Sequence, residues 1–257
     1  MNADDARGAR PTGGWVALVG GGPGDDGLIT ARGVELLQRA DVVVVDRLAP
    51  RGVLDGLGAD VEIVDVGKTP GHHPFSQEAI NAVLLDRASA GRGVVRLKGG
   101  DPYVLGRGVE ERMACEQEGV PVEVVPGITS ALAVPASVGI PVTHRGLARA
   151  FTVVTGHEDV PDLPTGRDHT ILVLMGVSTL RRNAALMMAA GRDPACPVAV
   201  VEDAFGPRHR VTTGTLDSIA DVAALARVRS PAVVVVGDVV TLSPHWSGAA
   251  VQAGVTS

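Results

Sequence analysis

Aromatic side chains are nearly absent from this sequence, and their scarcity limits what the protein can bind. Three phenylalanines, two tryptophans and one tyrosine make up 2% of the 257 residues. Acidic residues outnumber basic ones, 29 against 23, and the net charge is −6. Nucleic-acid-binding proteins need a basic footprint, and those that bind single strands need rings on which bases can stack. We therefore expect no nucleic-acid partner.

Cysteines and long apolar runs are scarce as well. Cys115 and Cys196 are too few for a disulfide framework and form no CxxC pair, which is typical of reduced thiols in a cytoplasmic protein. No run approaches the length of a membrane span, and the N-terminus has no apolar segment of the secretory type. The seven histidines show no HxxxH spacing and no nearby cysteine pair, so we predict no metal site.

Short β-branched runs alternate with helical patterns along most of the chain. This alternation predicts an α/β fold with a largely parallel sheet. We predict that Thr30 caps one helix and that Ser76 starts another. The strands predicted in the second half of the chain are Phe151–Thr155, Ile171–Leu174, Val198–Val201 and Ala232–Val236.

A domain boundary is indicated by a change of pattern. Near residues 139–149 the pattern changes to turns and charges, and we place a domain boundary there. The predicted layout is a mobile leader at 1–14, an N-terminal α/β domain at 15–142, a C-terminal α/β domain at 143–245 and a tail at 246–257.

Several polar residues fall at the carboxyl ends of predicted strands in the first domain. They are Asp46, the pair at 67–68 and the loop at 99–101. Ligands of parallel sheets bind at this edge. We therefore expect these residues to lie close together around a ligand.

The first glycine-rich loop lies in VALVGGGPGDDGLIT, residues 16–30. Asp25 stands where a dinucleotide fingerprint needs its third glycine, and no GK[ST] follows for a Walker A loop. Two acids would repel a pyrophosphate, and Pro23 offers no N–H to an anion. The loop is either a rigid turn for a neutral or cationic ligand or a plain strand–helix turn.

Two later segments have the same double interpretation. In RLKGGDPYVLGRGVEE, residues 96–111, the glycines allow backbone to approach a ligand and Asp101 can accept hydrogen bonds, although a turn would use the same residues. Arg107 and Glu110 would share a helix face, either at a site or as a surface ion pair. Thr129 and Ser130 offer hydroxyl and N–H groups at a helix start, either to a ligand or as a cap.

Taken together, the motifs closely resemble the tetrapyrrole methylase family from Val16 to about Gly237. The segments that carry the resemblance are VGGGPGDDGLIT, ADVVVVDRL, VGK with GHHPFSQEAIN, VRLKGGDPYVLGRGVEE, VPGITSALAVPASVGIPVTHRG, FTVVTGH, VLMGVSTL and VEDAF. Within the family, KGGDP, GIPVTHRG and TGH point to the enzymes that methylate uroporphyrinogen III. We expect the stand-alone form, without a siroheme-type dehydrogenase or ferrochelatase domain.

The resemblance implies two α/β domains with the active site in the cleft between them, and a cytoplasmic homodimer. It implies S-adenosyl-L-methionine as methyl donor, S-adenosylhomocysteine as by-product, and no metal. Two methyl groups would go to carbons 2 and 7 of uroporphyrinogen III, a small-molecule tetrapyrrole, to give precorrin-2 for cobalamin or siroheme synthesis.

The resemblance also implies roles for individual residues. Asp46 is the expected proton acceptor and Lys68 the expected proton donor, while Arg107 and Glu110 are expected to touch the macrocycle. The residues expected to bind the donor are Pro23, Gly99, Gly100, Asp101, Val104, Thr129, Ser130, Met175 and Ala204.

The implied reaction is a displacement in line with the carbon–sulfur bond, so positioning should supply most of the catalysis. A carboxylate such as Asp46 or Glu110 could take the pyrrole N–H proton. Because the substrate carries eight carboxylates, a basic site is expected, with Lys68, His72, His73, Arg107, Arg145 and Arg149 as candidates. The alternatives are a methyltransferase for a later precorrin, a nicotinamide dehydrogenase and a non-catalytic binding module.

Overall fold

The computed structural model describes residues 13–67, 75–158, 160 and 163–248, together with the backbone of 253–255. The chain divides into two compact units, Met1–Ile128 and Thr129–Ser257. The change in sequence pattern had placed the domain boundary between residues 142 and 143. The predicted leader lies outside the described residues, except for Gly13 and Gly14.

The first unit is built on a five-stranded parallel sheet with strand order β3-β2-β4-β1-β5. The parallel sheet predicted from the sequence is thus confirmed. The strands are β1 Trp15–Gly20, β2 Val42–Val45, β3 Glu62–Asp65, β4 Gly93–Lys98 and β5 Val122–Val125. The helices are α1 Ala31–Leu37, α2 Gln77–Ser89 and α3 Gly108–Gln117.

Apolar side chains on both faces of this sheet form its core. Strands β1 and β2 are apolar throughout, β4 is apolar except for Arg96 and Lys98, and alternate residues along each strand join opposite clusters. The helices begin where the sequence predicts, because Thr30 accepts the Gly33 N–H at 3.2 Å and Ser76 accepts the Ala79 N–H at 3.2 Å. The sheet is therefore buried on both sides and is open to ligands at its edges.

The second unit contains a mixed six-stranded sheet with order β11-β9-β8-β10-β7-β6, in which only β6 and β7 are parallel neighbours. Its strands are β6 Ala150–Thr155, β7 His169–Leu174, β8 Pro197–Glu202, β9 Arg210–Thr215, β10 Ala232–Val236 and β11 Ala253–Val255. Its helices are α4 Ser130–Ser137, α5 Leu180–Ala189 and α6 Ile219–Leu225.

Strand β9 was absent from the sequence-based prediction. Its sequence, RVTTGT, holds three threonines and a glycine, and it lacks the apolar run that marked the other strands. It forms because it pairs with β8 along its whole length, and its four central residues are buried. None of the described helices is long and apolar enough to cross a membrane.

Candidate active site

Three loops meet at the carboxyl edge of the parallel sheet. Gly22 and Gly100 exchange backbone hydrogen bonds of 3.1 and 2.7 Å, which join the loop after β1 to the loop after β4. A Cβ atom on Gly127 would lie 2.2 Å from the Gly100 oxygen and 2.6 Å from the Gly20 Cα. The backbones touch here, so only glycine fits. Of the strand ends predicted to converge, the loop at 99–101 is one of these three, and the loops after β1 and β5 join it.

The loop around Pro23 is a tight turn that leads into a short 3-10 helix. Gly22 and Gly24 have φ angles of +82° and +126°, which favour glycine. Asp25 caps the 3-10 helix by accepting the Gly27 N–H at 2.8 Å. One of the two acids that argued against a phosphate ligand is thus fixed by a capping bond. This geometry fits both interpretations of the sequence, a rigid turn at a ligand and a plain strand–helix turn.

Asp101 ties the loop after β4 to the loop after β5. Its Oδ1 accepts the Tyr103 N–H at 2.8 Å and its Oδ2 accepts the Gly127 N–H at 3.0 Å. Both carboxylate oxygens therefore shape the loops that carry Gly99, Gly100 and Val104. The sequence left open whether Asp101 contacts a ligand or forms a turn, and its hydrogen bond to the loop after β5 was not predicted.

Asp46 lies directly after β2 and is anchored by β4. Its backbone N–H donates to the Leu97 oxygen at 3.1 Å, and its Oδ1 accepts a hydrogen bond from Arg96 Nη2 at 2.5 Å. The Asp46 side chain is 32% exposed, whereas that of Arg96 is 2% exposed. Asp46 is therefore a half-buried carboxylate held by a buried guanidinium.

A buried ion network lies behind Asp46, and sequence reasoning missed it. Glu111, which is fully buried, accepts from Lys98 Nζ at 2.9 and 3.0 Å and from Arg96 Nε at 3.1 Å. Burial, followed by the nearby Arg96 charge, lowers the pKa of Lys98. Two signals were present, since Arg96 and Lys98 lie two apart in an apolar strand and Glu111 lies four before the buried Cys115.

Arg107 and Glu110 form a two-bond ion pair on the surface of the first unit. Arg107 Nε and Nη2 donate to the Glu110 carboxylate at 2.9 and 2.6 Å, and both side chains are more than half exposed. The hydrogen bond from Arg107 lowers the pKa of Glu110. Arg107 stands at the N-cap position of α3 without a side-chain capping bond, and its φ of +57° is a conformation that non-glycine residues rarely adopt. The helix begins at Gly108, so the pair forms the surface ion pair that was one of the two interpretations of the sequence, and its contact with a ligand stays a prediction.

The basic residues expected to bind substrate carboxylates are found in different situations. Lys68, His72 and His73 lie outside the described residues. Arg149 pairs with Asp168 at 2.5 Å on the surface. Arg145 is exposed and forms no ion pair with any residue the structure describes. Whether these residues form one basic patch stays a prediction.

The site residues of the second unit lie at a helix start and at the ends of two strands. Thr129 caps α4 by accepting the Ala131 N–H at 3.3 Å, and Ser130 is the first residue of that helix. Met175 follows β7 with a φ of +57° and is 41% exposed. Ala204 follows β8, directly after Asp203, whose φ is +46°.

Met175 itself has a left-handed backbone conformation, and Ala204 lies beside Asp203, which has one. Such conformations cluster at ligand sites, where the surrounding structure holds them in place. Across the described residues, no group of three or more His, Cys, Asp or Glu side chains is placed to hold a metal ion.

The parallel sheet with its glycine loops and the mixed second sheet together define a known class of protein. A model of the family described as Tetrapyrrole (Corrin/Porphyrin) Methylases matches residues 16–220. The chain belongs to the tetrapyrrole methylase family.

Individual relatives give a more specific picture. The chain is 48% identical to an S-adenosyl-L-methionine-dependent uroporphyrinogen III methyltransferase of Methanosarcina barkeri, over 89% of this chain and 93% of that protein. It is 45% identical to a uroporphyrinogen-III C-methyltransferase of Methanocaldococcus jannaschii, over 89% and 98%. A crystal structure of the Thermus thermophilus uroporphyrin-III C-methyl transferase with S-adenyl homocysteine has 43% identity and a TM-score of 0.76, over 88% and 99%.

Proposed function

We propose that this chain transfers methyl groups from S-adenosyl-L-methionine to uroporphyrinogen III. The observation that carries the proposal is the 48% identity to an enzyme named for that donor and that substrate, over 89% of the chain. The Thermus structure was solved with S-adenyl homocysteine, the demethylated form of the same donor. The donor is consumed in each turnover, so it is a co-substrate and not a resident cofactor.

The proposed products are precorrin-2 and two molecules of S-adenosylhomocysteine, with methyl groups added at carbons 2 and 7. Precorrin-2 would serve cobalamin or siroheme synthesis. A later precorrin is the alternative acceptor, and the relatives' names favour uroporphyrinogen III over it.

The donor is proposed to bind to two sets of residues, one in each unit. The loops joined by the Gly22–Gly100 bonds support this proposal, because their glycines let backbone approach a ligand and no basic side chain stands among the proposed contacts. That composition suits a cationic sulfonium better than a phosphate. The proposed contacts are Pro23, Gly99, Gly100, Asp101 and Val104 in the first unit, and Thr129, Ser130, Met175 and Ala204 in the second.

Asp46 is proposed to accept the pyrrole N–H proton, which makes the adjacent carbon a better nucleophile. Its support is that the carboxylate is fixed by Arg96 and is still exposed enough to meet a substrate. Lys68 is proposed as proton donor, and Arg107 and Glu110 are proposed to contact the macrocycle. A substrate carboxylate would replace Glu110 as partner of the Arg107 guanidinium, which suits two-bond carboxylate binding.

The chain is also proposed to act as a homodimer in the cytoplasm. Light scattering after size exclusion should give about twice the 26.3 kDa of one chain. A mass equal to one chain at micromolar concentration would contradict the dimer and leave the methyl transfer untouched.

The product assay tests the central proposal. The chain is incubated without oxygen with uroporphyrinogen III and donor labelled in its methyl group, and the product is analysed by mass spectrometry. We expect two labelled methyl groups per tetrapyrrole and two S-adenosylhomocysteine molecules. Turnover only with a methylated precorrin would favour the alternative. Donor binding without any transfer would contradict the proposal and favour a non-catalytic binding module. Turnover that is unchanged in Asp46→Ala and Arg107→Ala would contradict the roles proposed for these two residues.

A further inference from the structure

Two cations occupy the middle strand of the parallel sheet, where apolar side chains are the rule. Arg96 and Lys98 lie two apart on β4, so both point to the face that carries Val94 in the core. Both are at most 4% exposed. Removing a charge from water is expensive unless it is paired, so each cation needs a carboxylate nearby.

Helix α3 supplies that carboxylate from its buried face. The buried residues of α3 are Gly108, Glu111 and Cys115, so Glu111 occupies a position where a core side chain is expected. Its two oxygens accept from Lys98 at 2.9 and 3.0 Å, and one also accepts from Arg96 at 3.1 Å. Gln77 of α2 adds a longer bond of 3.3 Å. Glu111 is thus fixed from β4 and from α2.

The network opens to solvent at one of its four charged residues. Arg96 reaches from Glu111 on its Nε side to Asp46 on its Nη2 side, and Asp46 is 32% exposed while the other three are nearly or fully buried. The four charges cancel, two positive and two negative. The guanidinium therefore connects a buried ion pair to one accessible carboxylate.

Stability alone does not account for this arrangement. Replacing a buried ion pair by apolar residues of similar size is often neutral or stabilising. A core of four apolar side chains at these positions would be easier to build. What an apolar core could not do is hold a guanidinium against Asp46 in one orientation.

We propose that Lys98 and Glu111 are positioning residues, which hold the Arg96 guanidinium against Asp46 and so fix the orientation of that carboxylate. The inference rests on the proposed function, because it assigns Asp46 the proton-accepting step. Lys98 donates hydrogen bonds to both carboxylate oxygens of Glu111, and Glu111 in turn accepts a hydrogen bond from Arg96 Nε. Without Lys98, Glu111 would compete with Asp46 for the one remaining cation.

A double-mutant cycle tests the inference. Lys98→Met and Glu111→Gln are each made in the wild-type chain and in the Asp46→Asn background, and labelled methyl transfer is measured at saturating substrates. Each should lower kcat about tenfold or more when Asp46 is present and less than about twofold in the Asp46→Asn background. A purely structural role would lower kcat by the same factor in both backgrounds and would overturn the inference.

The split between kcat and KM gives a second readout. Lys98→Met and Glu111→Gln should lower kcat, because they disturb the orientation of Asp46, and should leave the KM for uroporphyrinogen III within about twofold of the wild-type value. A rise in KM with kcat unchanged would contradict the positioning role.

Glu62→Gln is the matched control, because Glu62 accepts hydrogen bonds from Arg87 and Arg92 in the same unit at the other end of the sheet. It should leave both kcat and KM unchanged. Thermal melting and donor affinity verify that each variant is folded. If Lys98→Met does not fold, the double variant Lys98→Met/Glu111→Gln restores charge balance and takes its place in the cycle.

The outcomes separate the two proposals. A wild-type chain that does not methylate uroporphyrinogen III contradicts the proposed function. A wild-type chain that does so, with Asp46→Asn as active as wild type, overturns only the role of Asp46 and of its positioning residues.

Discussion

At the scale of single residues, the carboxylates of the candidate site differ in what holds them. Asp101 accepts hydrogen bonds from two backbone N–H groups. Asp46 accepts a hydrogen bond from one buried arginine, and Glu110 forms an ion pair with an exposed arginine. Only a carboxylate that is both fixed and accessible can take a proton from a bound substrate in a defined geometry. Asp46 combines these two properties, and Asp101 serves the shape of the loops.

Asp101→Asn should weaken donor binding by reshaping two loops. In asparagine the side-chain NH2 group would replace one carboxylate oxygen and would face a backbone N–H group, which cannot accept a hydrogen bond. The hydrogen bond lost there costs about 1 kcal/mol. We expect a lower melting temperature and donor binding at least about tenfold weaker by calorimetry. Asp25→Asn is the control, since asparagine caps a helix as well as aspartate does. Unchanged donor affinity in Asp101→Asn would contradict the bracing role.

At the scale of elements, the first sheet depends on loops that touch through glycine backbones. Gly127→Ala would place a methyl group 2.2 Å from the Gly100 oxygen, so the loops after β4 and β5 must separate. We expect a loss of about 2–3 kcal/mol in the free energy of unfolding, measured with denaturant. Gly56→Ala has no atom within 4 Å of the new methyl group and should be close to neutral. Equal effects of the two substitutions would contradict the predicted clash.

In the second unit, the β6–β7 pair should respond to pH through His169. Its Nε2 lies 2.7 Å from Thr152 Oγ1, and burial, followed by the Arg192 charge, lowers its pKa below the ordinary value of about 6.5. The unfolded chain therefore binds more protons than the folded one, so the stabilisation is present above about pH 6.5 and is lost as the pH falls through the folded pKa.

The measurement is the free energy of unfolding between about pH 7 and pH 5. His169→Gln should flatten the decline seen in the wild-type chain. His157→Gln, which changes an exposed histidine just beyond the end of β6, should not. If His169→Gln shows the same decline of the free energy of unfolding with pH as the wild-type chain, His169 is not its source.

At the scale of the whole molecule, an acidic protein is proposed to bind a substrate with eight carboxylates. If a local basic site dominates, salt should screen the attraction, and kcat/KM should fall several-fold between about 0.05 and 0.5 M ionic strength. Arg145→Gln should flatten that dependence, whereas Arg181→Gln, at an exposed arginine paired with Asp221, should not. A rise of kcat/KM with salt would show that repulsion from the net charge of −6 dominates.

Local patterns predicted the first unit well, because apolar strands and capped helices are encoded over a few residues. Thr30, Ser76 and the strand ends around Asp46 and Gly100 lie as expected. Long-range partnership was not predictable in this way. Glu111 reads as one acid among several in GVEERMACE, and its role depends on packing against a strand that precedes it in the chain.

The second unit shows the same limit at the level of topology. The sequence pattern indicated β6, β7, β8 and β10, and the antiparallel pairing of β8 and β10 with their neighbours arises only from how the chain folds back. Strand β9 was missed because its threonines suit a sheet interior without forming an apolar run. Short-range sequence patterns predicted individual strands and helices. The order of the strands in the sheet became visible only in the tertiary structure.

The left-handed backbone of Met175 sets the stability of the folded chain against its affinity for the donor. An L-residue at a φ of +57° costs the folded state free energy that glycine would not. Met175→Gly should therefore raise stability by up to about 1 kcal/mol while weakening donor binding. Arg227→Gly relieves the same conformation, at φ +52°, away from the proposed contacts, and should raise stability with donor affinity unchanged. Melting curves and calorimetry on both variants test whether the Met175 side chain contributes to donor binding. Unchanged donor affinity in Met175→Gly would contradict that contribution.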